Sequence, residues 1–427
     1  MWKRTLNRLA RFSAFLALAL FLHVPTALGQ AHVGLPFDEE GSINGSPYKI
    51  RVPVNWNGTL LAFAHGYRDK ADHPGEVDNR TADAAPGGAA LEGALLAQGY
   101  ALAGSAFKEN GWAIKEGVQN TLALTNLFKG RVGKPDRIIL WGVSLGSVVT
   151  LKSIEKYPGI YDGAIAACSV GAGGPRTWDG ALAVALAYDV TFGWLGAWGQ
   201  VGDVRDDLDF ETEVAPVMVG QFFDPSNFGL LEFIRLVNGI PSEDVVQWPF
   251  SVMFFVTEGR SELERRARGP VAQNLDHVYS LSSADIAYLA PLLAPLGLSP
   301  DTLLATMNAR RNIFADRNAR NYIGHYADYT GKIKRPVLSI HTAIDGLVPV
   351  SNESVYRTTV QAAGKENLLV QVFTDSVGHC AFNALQLFAV IQAMEFWLQT
   401  GTPPGATFFP AALGFIPGFV PPPWPYE

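Results

Sequence analysis

Gly142-Val143-Ser144-Leu145-Gly146 is the segment whose residue types and spacing most directly specify chemistry. It closes the apolar run Ile138–Trp141 and leads into a helix-like stretch from Ser147 to Lys156, which places Ser144 at a strand-to-helix turn. Such a turn lifts the hydroxyl above the sheet edge, and flanking glycines remove side chains that would strike the neighbouring backbone. The helix N-terminus behind it favours developing negative charge. In a chain with 43 glycines the bare pattern says little. The strand before it and the helix after it make it a candidate nucleophile.

A serine hydroxyl needs a base, normally a histidine oriented by a carboxylate. His379, in Ser376-Val377-Gly378-His379-Cys380, follows the last expected strand and precedes the last expected helix. Asp345, in Asp345-Gly346-Leu347-Val348-Pro349, stands just beyond the strand before that. The chain order is therefore serine, acid, histidine. Asp375 also follows a strand, but four residues from His379 it reads better as a loop cap. Leu145, next to the nucleophile, offers one backbone N–H to a tetrahedral oxyanion. The Tyr67 N–H of His65-Gly66-Tyr67 offers the other, with His65 read as a structural residue of that loop. Trp112, in Lys108-Glu109-Asn110-Gly111-Trp112, is a candidate wall of the substrate pocket, core packing being the plainer alternative. No metal is expected, because His65 and His73 do not share a helical face and there is no cysteine cluster. The glycine pairs at 87–88 and 173–174 lack the dinucleotide and P-loop patterns.

These residues need a frame. From about residue 59 apolar runs alternate with helix-like segments. The expected strands are Thr59–Gly66, Ala101–Phe107, Asp136–Val143 and Gly163–Gly171, with helices over 84–98, 113–129 and 145–156. This alternation implies a mostly parallel sheet flanked by helices, an α/β fold. The rhythm stops over 172–331, a stretch rich in aromatic residues that reads as an inserted helical cap. It resumes with a strand over Pro336–Ala343, a helix over 351–363, a strand over Asn367–Thr374 and a helix near 383–399. The core is thus discontinuous, 30–171 and 332–400. The segment 401–427 carries eight prolines and several aromatics; it reads as an extended tail lying against the body, or as a disordered one.

Composition narrows the function classes. The 427 residues are 48% apolar and 17% charged, enough for a large core. Residues 1–29 read as an export signal: Lys3, Arg4, Arg8 and Arg11 precede the apolar run Ala14–Val24 and the small-residue site Ala27-Leu28-Gly29. That run is shorter than the roughly 20 residues needed to cross a bilayer. Losing those four basic residues takes the formal charge from −7 to −11, a poor match for nucleic acid or anionic membranes. An exported chain, periplasmic or extracellular, permits a disulfide between its two cysteines, Cys168 and Cys380.

At Ser144, Asp345, His379 and the His65-Gly66-Tyr67 loop the chain resembles the α/β-hydrolase superfamily, in particular its capped, secreted, bacterial esterase-like members. The resemblance covers roughly residues 50–171 and 332–400. It implies an acyl-transfer hydrolase without metal or organic cofactor, acting on a small or polymeric carboxylic ester. His379-Cys380 is also similar to tannase and feruloyl-esterase-like enzymes, where a disulfide joins residues beside the catalytic serine and histidine. Here Val143, not cysteine, precedes the serine. The resemblance then implies a Cys168–Cys380 bridge, the alternative being two buried free thiols. Two other functions compete. A peptidase or amidase on the same fold would use the same triad, and the acidic run Asp203, Asp206, Asp207, Asp209, Glu211 and Glu213 would suit an aminopeptidase; a noncatalytic extracellular binding protein would keep only the fold.

Overall fold

The computed structural model describes residues 31–244 and 247–427. The export signal expected over 1–29 lies outside the described residues. Eight strands form one sheet: β1 (Phe37–Ile43), β2 (Ser46–Val52), β3 (Thr59–Ala64), β4 (Ala101–Ser105), β5 (Arg137–Val143), β6 (Gly163–Ala167), β7 (Val337–Ile344) and β8 (Leu369–Val377). Their spatial order is β1-β2-β4-β3-β5-β6-β7-β8. β1 pairs antiparallel with β2, and β2 with β4; every other pairing is parallel.

The first hairpin is absent from the sequence-based expectation. Its turn is Asn44-Gly45, both at positive φ (55° and 81°), the backbone twist that a two-residue hairpin needs. In β2, Tyr48, Ile50 and Val52 face inward while Lys49 and Arg51 face out, a period of two that marks a half-buried strand. By contrast β3, β4 and β6 are buried at every residue, as central strands covered on both faces must be.

Helices α1 (Ala89–Ala97), α2 (Ile114–Arg131) and α3 (Leu145–Lys156) connect the first parallel strands. α1 begins later than expected because Gly87 and Gly88 both sit at positive φ and hold the chain out of helix. Likewise β6 stops at Ala167, four residues short of the expected end, where Cys168 turns into the left-handed region.

Between β6 and β7 lies the helical cap: α4 (Gly173–Phe192), α5 (Ala215–Phe222), α6 (Phe228–Val237), α7 (Phe250–Val256), α8 (Glu258–Ala267), α9 (Ser283–Leu293), α10 (Pro300–Ala309) and α11 (Arg317–Ala327). The core closes with α12 (Ser351–Ala362) and α13 (Ala384–Thr400). One sheet face packs on α2 and α3 through residues such as Phe128 and Val148, the other on α1 and α13 through Leu95, Val390 and Ile391.

The tail is ordered along the body. It adds a short antiparallel contact to the edge strand, Asp375 N–H to Gly414 O and Ile416 N–H to Phe373 O, each at 2.9 Å, and buries Phe409, Phe415, Trp424 and Tyr426. Pairing this edge removes a row of open backbone groups. Among the described residues no helix is long and apolar enough to cross a membrane.

Candidate active site

The strand order and the antiparallel start followed by parallel pairings make this an α/β-hydrolase fold, in which reactive groups gather at the carboxyl ends of the parallel strands. Ser144 sits between β5 and α3 at φ 54°, ψ −122°, a left-handed conformation unusual for a side-chain-bearing residue. Its N–H donates to Ala167 O at 3.0 Å, which pins the turn to β6. The two motif glycines are obligatory by space. A Cβ on Gly146 would lie 2.1 Å from Ala64 O, and one on Gly142 would lie 2.2 Å from Gly146 O.

The structure brings Ser144, His379 and Asp345 together. His379 Nε2 is 2.8 Å from Ser144 Oγ, and its Nδ1 is 2.8 Å from Asp345 Oδ2. Asp345 follows β7 and is fully buried, with Oδ1 accepting the Leu347 and Val348 N–H groups at 3.0 and 2.8 Å. Burial by itself would raise this carboxyl, but the imidazoles of His379 and His341 hold it well below the usual carboxylate range. The competitor Asp375 is exposed and its backbone pairs with the tail, away from His379.

His379 lies in a loop tied down on two sides. Thr342 Oγ1 donates to Gly378 O at 2.9 Å, and Gly378 N–H donates to Ile344 O at 2.8 Å. A disulfide joins Cys380 to Cys168, with Cα atoms 5.1 Å apart, so the histidine loop is bolted to the end of β6 beside the serine turn. Four of the non-glycine residues at positive φ, Phe107, Ser144, Cys168 and Cys380, belong to this edge of the sheet or its loops. Such conformations persist only where surrounding structure imposes them.

Tyr67 and Ser144 line one cavity, and a Cβ on Gly66 would be 3.5 Å from Ser144 Cβ, so the Tyr67 loop runs directly over the serine. Among the described residues neither the Tyr67 N–H nor the Leu145 N–H has a hydrogen-bond partner within the chain. His65 is buried, stacks on Phe107 at 4.0 Å and is pushed down to about 4 by burial and by Arg68, so it is neutral at pH 7.

Trp112 is buried and also lines the cavity, edge-on to Trp178 of α4 at 5.1 Å. Further walls come from the Asp345 turn, through Leu347 and Val348, from the aromatic-rich cap, through Val184, Ile240 and Phe255 of α7, and from Trp424 and Tyr426 of the tail. Among the described residues no charged side chain lines it. The acidic run does not reach it either; Arg205 pairs with Asp207 and Glu213, and most of the run is exposed. A cap residue missed in the sequence, Asp244, accepts the Gly346 N–H at 2.7 Å and so fastens the cap to the turn that carries Asp345. From the core side, Trp112 N–H donates to Glu262 of α8 at 2.8 Å.

Three carboxylates, Asp69 and Glu76 in the loop beyond Tyr67 and Glu258 at the start of α8, each place an oxygen within 4.8 Å of the others. Burial pushes Glu258 up to about 7, the Phe210 N–H and His73 opposing and the Asp69 and Glu76 charges adding to it.

No family model matches the chain. The chain is 23% identical over 437 residues to an o-phthalyl amidase from Xanthobacter agilis, across 87% of this chain and 89% of that protein. Among solved structures it is similar to an esterase from Aspergillus oryzae, at 14% identity and a TM-score of 0.40, covering 90% of this chain and 88% of that one. Feruloyl esterase B from the same organism gives 14% identity and a TM-score of 0.39 over 85% and 80% of the two chains.

Proposed function

We propose that this protein is an exported serine hydrolase that cleaves carboxylic esters through an acyl-enzyme on Ser144. The observation that carries the reading is the unbroken chain of hydrogen bonds from Ser144 Oγ through His379 to buried Asp345, both links at 2.8 Å. In this reading His379 takes the serine proton as Oγ attacks the carbonyl, while Asp345 holds the ring and stabilises the imidazolium. The unpartnered N–H groups of Tyr67 and Leu145 receive the oxyanion. His379 then gives the proton to the leaving alcohol and activates a water that releases the acid.

The cavity of about 110 Å³ and its aromatic walls suit a compact apolar acyl group, since an engineered apolar cavity of about 150 Å³ holds benzene. An ammonium or a long acyl chain finds no complement there. A second reading, an amidase, is favoured by the likeness to o-phthalyl amidase. The same triad attacks either bond, and the leaving group decides between them.

The test compares p-nitrophenyl acetate, benzoate and palmitate with the matching p-nitroanilides. Preference for the benzoate or acetate ester supports the proposal; preference for the anilides replaces it with the amidase. Ser144→Ala is expected to abolish labelling by a fluorophosphonate and to lower kcat by roughly a million-fold. Labelling that persists at another serine overturns the assignment of the nucleophile. A folded parent protein that does not label at all returns the chain to the noncatalytic reading.

A further inference from the structure

Behind Asp345 lies a second imidazole. His341 on β7 and Glu353 on α12 are as fully buried as Asp345 itself. His341 Nε2 is 2.9 Å from Val348 O and 3.4 Å from Asp345 Oδ2; its Nδ1 is 3.2 Å from Glu353 Oε1. Carbonyls and carboxylates only accept hydrogen bonds. Both ring nitrogens therefore face acceptors, and a neutral imidazole, with its single N–H, would leave one lone pair against an oxygen in a dry interior. Glu353 is satisfied as a carboxylate, because its other oxygen accepts from Ser339 Oγ at 2.7 Å and from Gln371 Nε2. Burial resists charge on the His341 ring, yet the neighbouring carboxylates of Asp345 and Glu353 push it up to about 10.

We infer that His341 is a permanently protonated positioning residue that bridges Asp345 and Glu353 and sets how much of the Asp345 charge reaches His379. The inference rests on the reading of His379 as the base. Asp345 Oδ2 is shared between His379 Nδ1 and His341 Nε2. A positive ring behind the acid weakens its pull on a proton at His379, and Glu353, one group further out, restores part of that pull. The charged groups facing His341 are Asp345 from its own strand end and Glu353 from α12, with His379 beyond Asp345. Asp244 of the cap holds the Asp345 turn.

A pH profile and a spectroscopic measurement, on three variants, test this. His341→Gln removes the charge and is expected to move the acidic limb of the kcat/KM pH profile upward by roughly half to one unit. A structural role alone would lower the thermal midpoint and kcat without moving that limb. Histidine-selective ¹⁵N NMR on Ser144→Ala is expected to show one imidazolium, with both nitrogens protonated, persisting at pH 8. In Glu353→Gln, which keeps the ring, that signature is expected to disappear at a lower pH. A neutral His341 tautomer at pH 7 overturns the inference, as does an unmoved acidic limb in folded His341→Gln that still labels at Ser144. Loss of Ser144-dependent labelling in the parent would instead sink the hydrolase reading, and the NMR measurement still decides the protonation of His341.

Discussion

Five side chains, Ser144, His379, Asp345, His341 and Glu353, form one row in which a hydroxyl is followed by imidazole, carboxylate, imidazole and carboxylate, linked by hydrogen bonds except at His341–Asp345, an ion-pair contact of 3.4 Å. Buried alternating charges stabilise only while each keeps its partner. Against burial, Asp345 and Glu353 are held below their ordinary values by the imidazoles, while His341 is raised. The carboxylates therefore contribute stability that is complete above the ordinary range of about 4 and is lost as pH falls through their depressed values. His341 contributes stability that is complete below about 6.5 and is lost as pH rises through about 10. Thermal midpoints taken from pH 4 to 10 should fall steadily on the alkaline side above about 6.5. A midpoint flat from 6.5 to 10 would contradict a charged His341. At this scale the meeting of Ser144, Asp345 and His379 was readable because each follows a strand, in the chain order serine, acid, histidine. His341 was not, although Ser339 and His341, two apart on one face of a buried strand, are the trace that a buried polar network leaves. Its partner Glu353 is twelve residues away on another element, and Asp244 reaches Gly346 across 102 residues, a separation at which sequence carries no pairing signal.

The elements were legible where burial dictates a pattern. Continuous apolar runs marked β3 to β6, and both strands of the second core segment were foreseen to within a few residues. The hairpin β1–β2 was missed because Phe37–Ile43 carries three acidic residues and a serine on an exposed edge; the Asn44-Gly45 pair was the available signal. The ends of elements were set by glycines and left-handed residues rather than by apolar periodicity. Cys168 and Cys380 join two such ends, and the bond they form restrains the loop that carries His379. Replacing both with serine is expected to cost about 2–4 kcal/mol in chemical denaturation and to slow fluorophosphonate labelling, with kcat falling more than KM rises. Unchanged labelling and an unchanged midpoint would show that the loop holds itself.

At the scale of the molecule, the pocket is assembled from three stretches far apart in sequence: the loops of the core, the cap, and the tail. Proline-rich composition indicated that the tail could not be a helix, and it gave no hint that Trp424 and Tyr426 would close the cavity above α4. Trp424 packs beside Tyr426 at 5.6 Å, and the Tyr426 hydroxyl donates to Asn238 of the cap at 2.7 Å. Trp424→Ala should therefore lower kcat/KM for an aromatic ester by roughly ten- to two-hundred-fold while a small acetate ester changes little. Equal losses on both esters would mean that the tail supports the fold without shaping the pocket.

The Cys168–Cys380 bond spans 212 residues and so closes a covalent ring around the whole cap. Asp345 and His379 lie on that ring and Ser144 lies just outside it. A protease that nicks the cap once opens the ring without releasing a fragment. Nicked molecules would migrate as one species until reduced, with the histidine still tethered beside the serine turn.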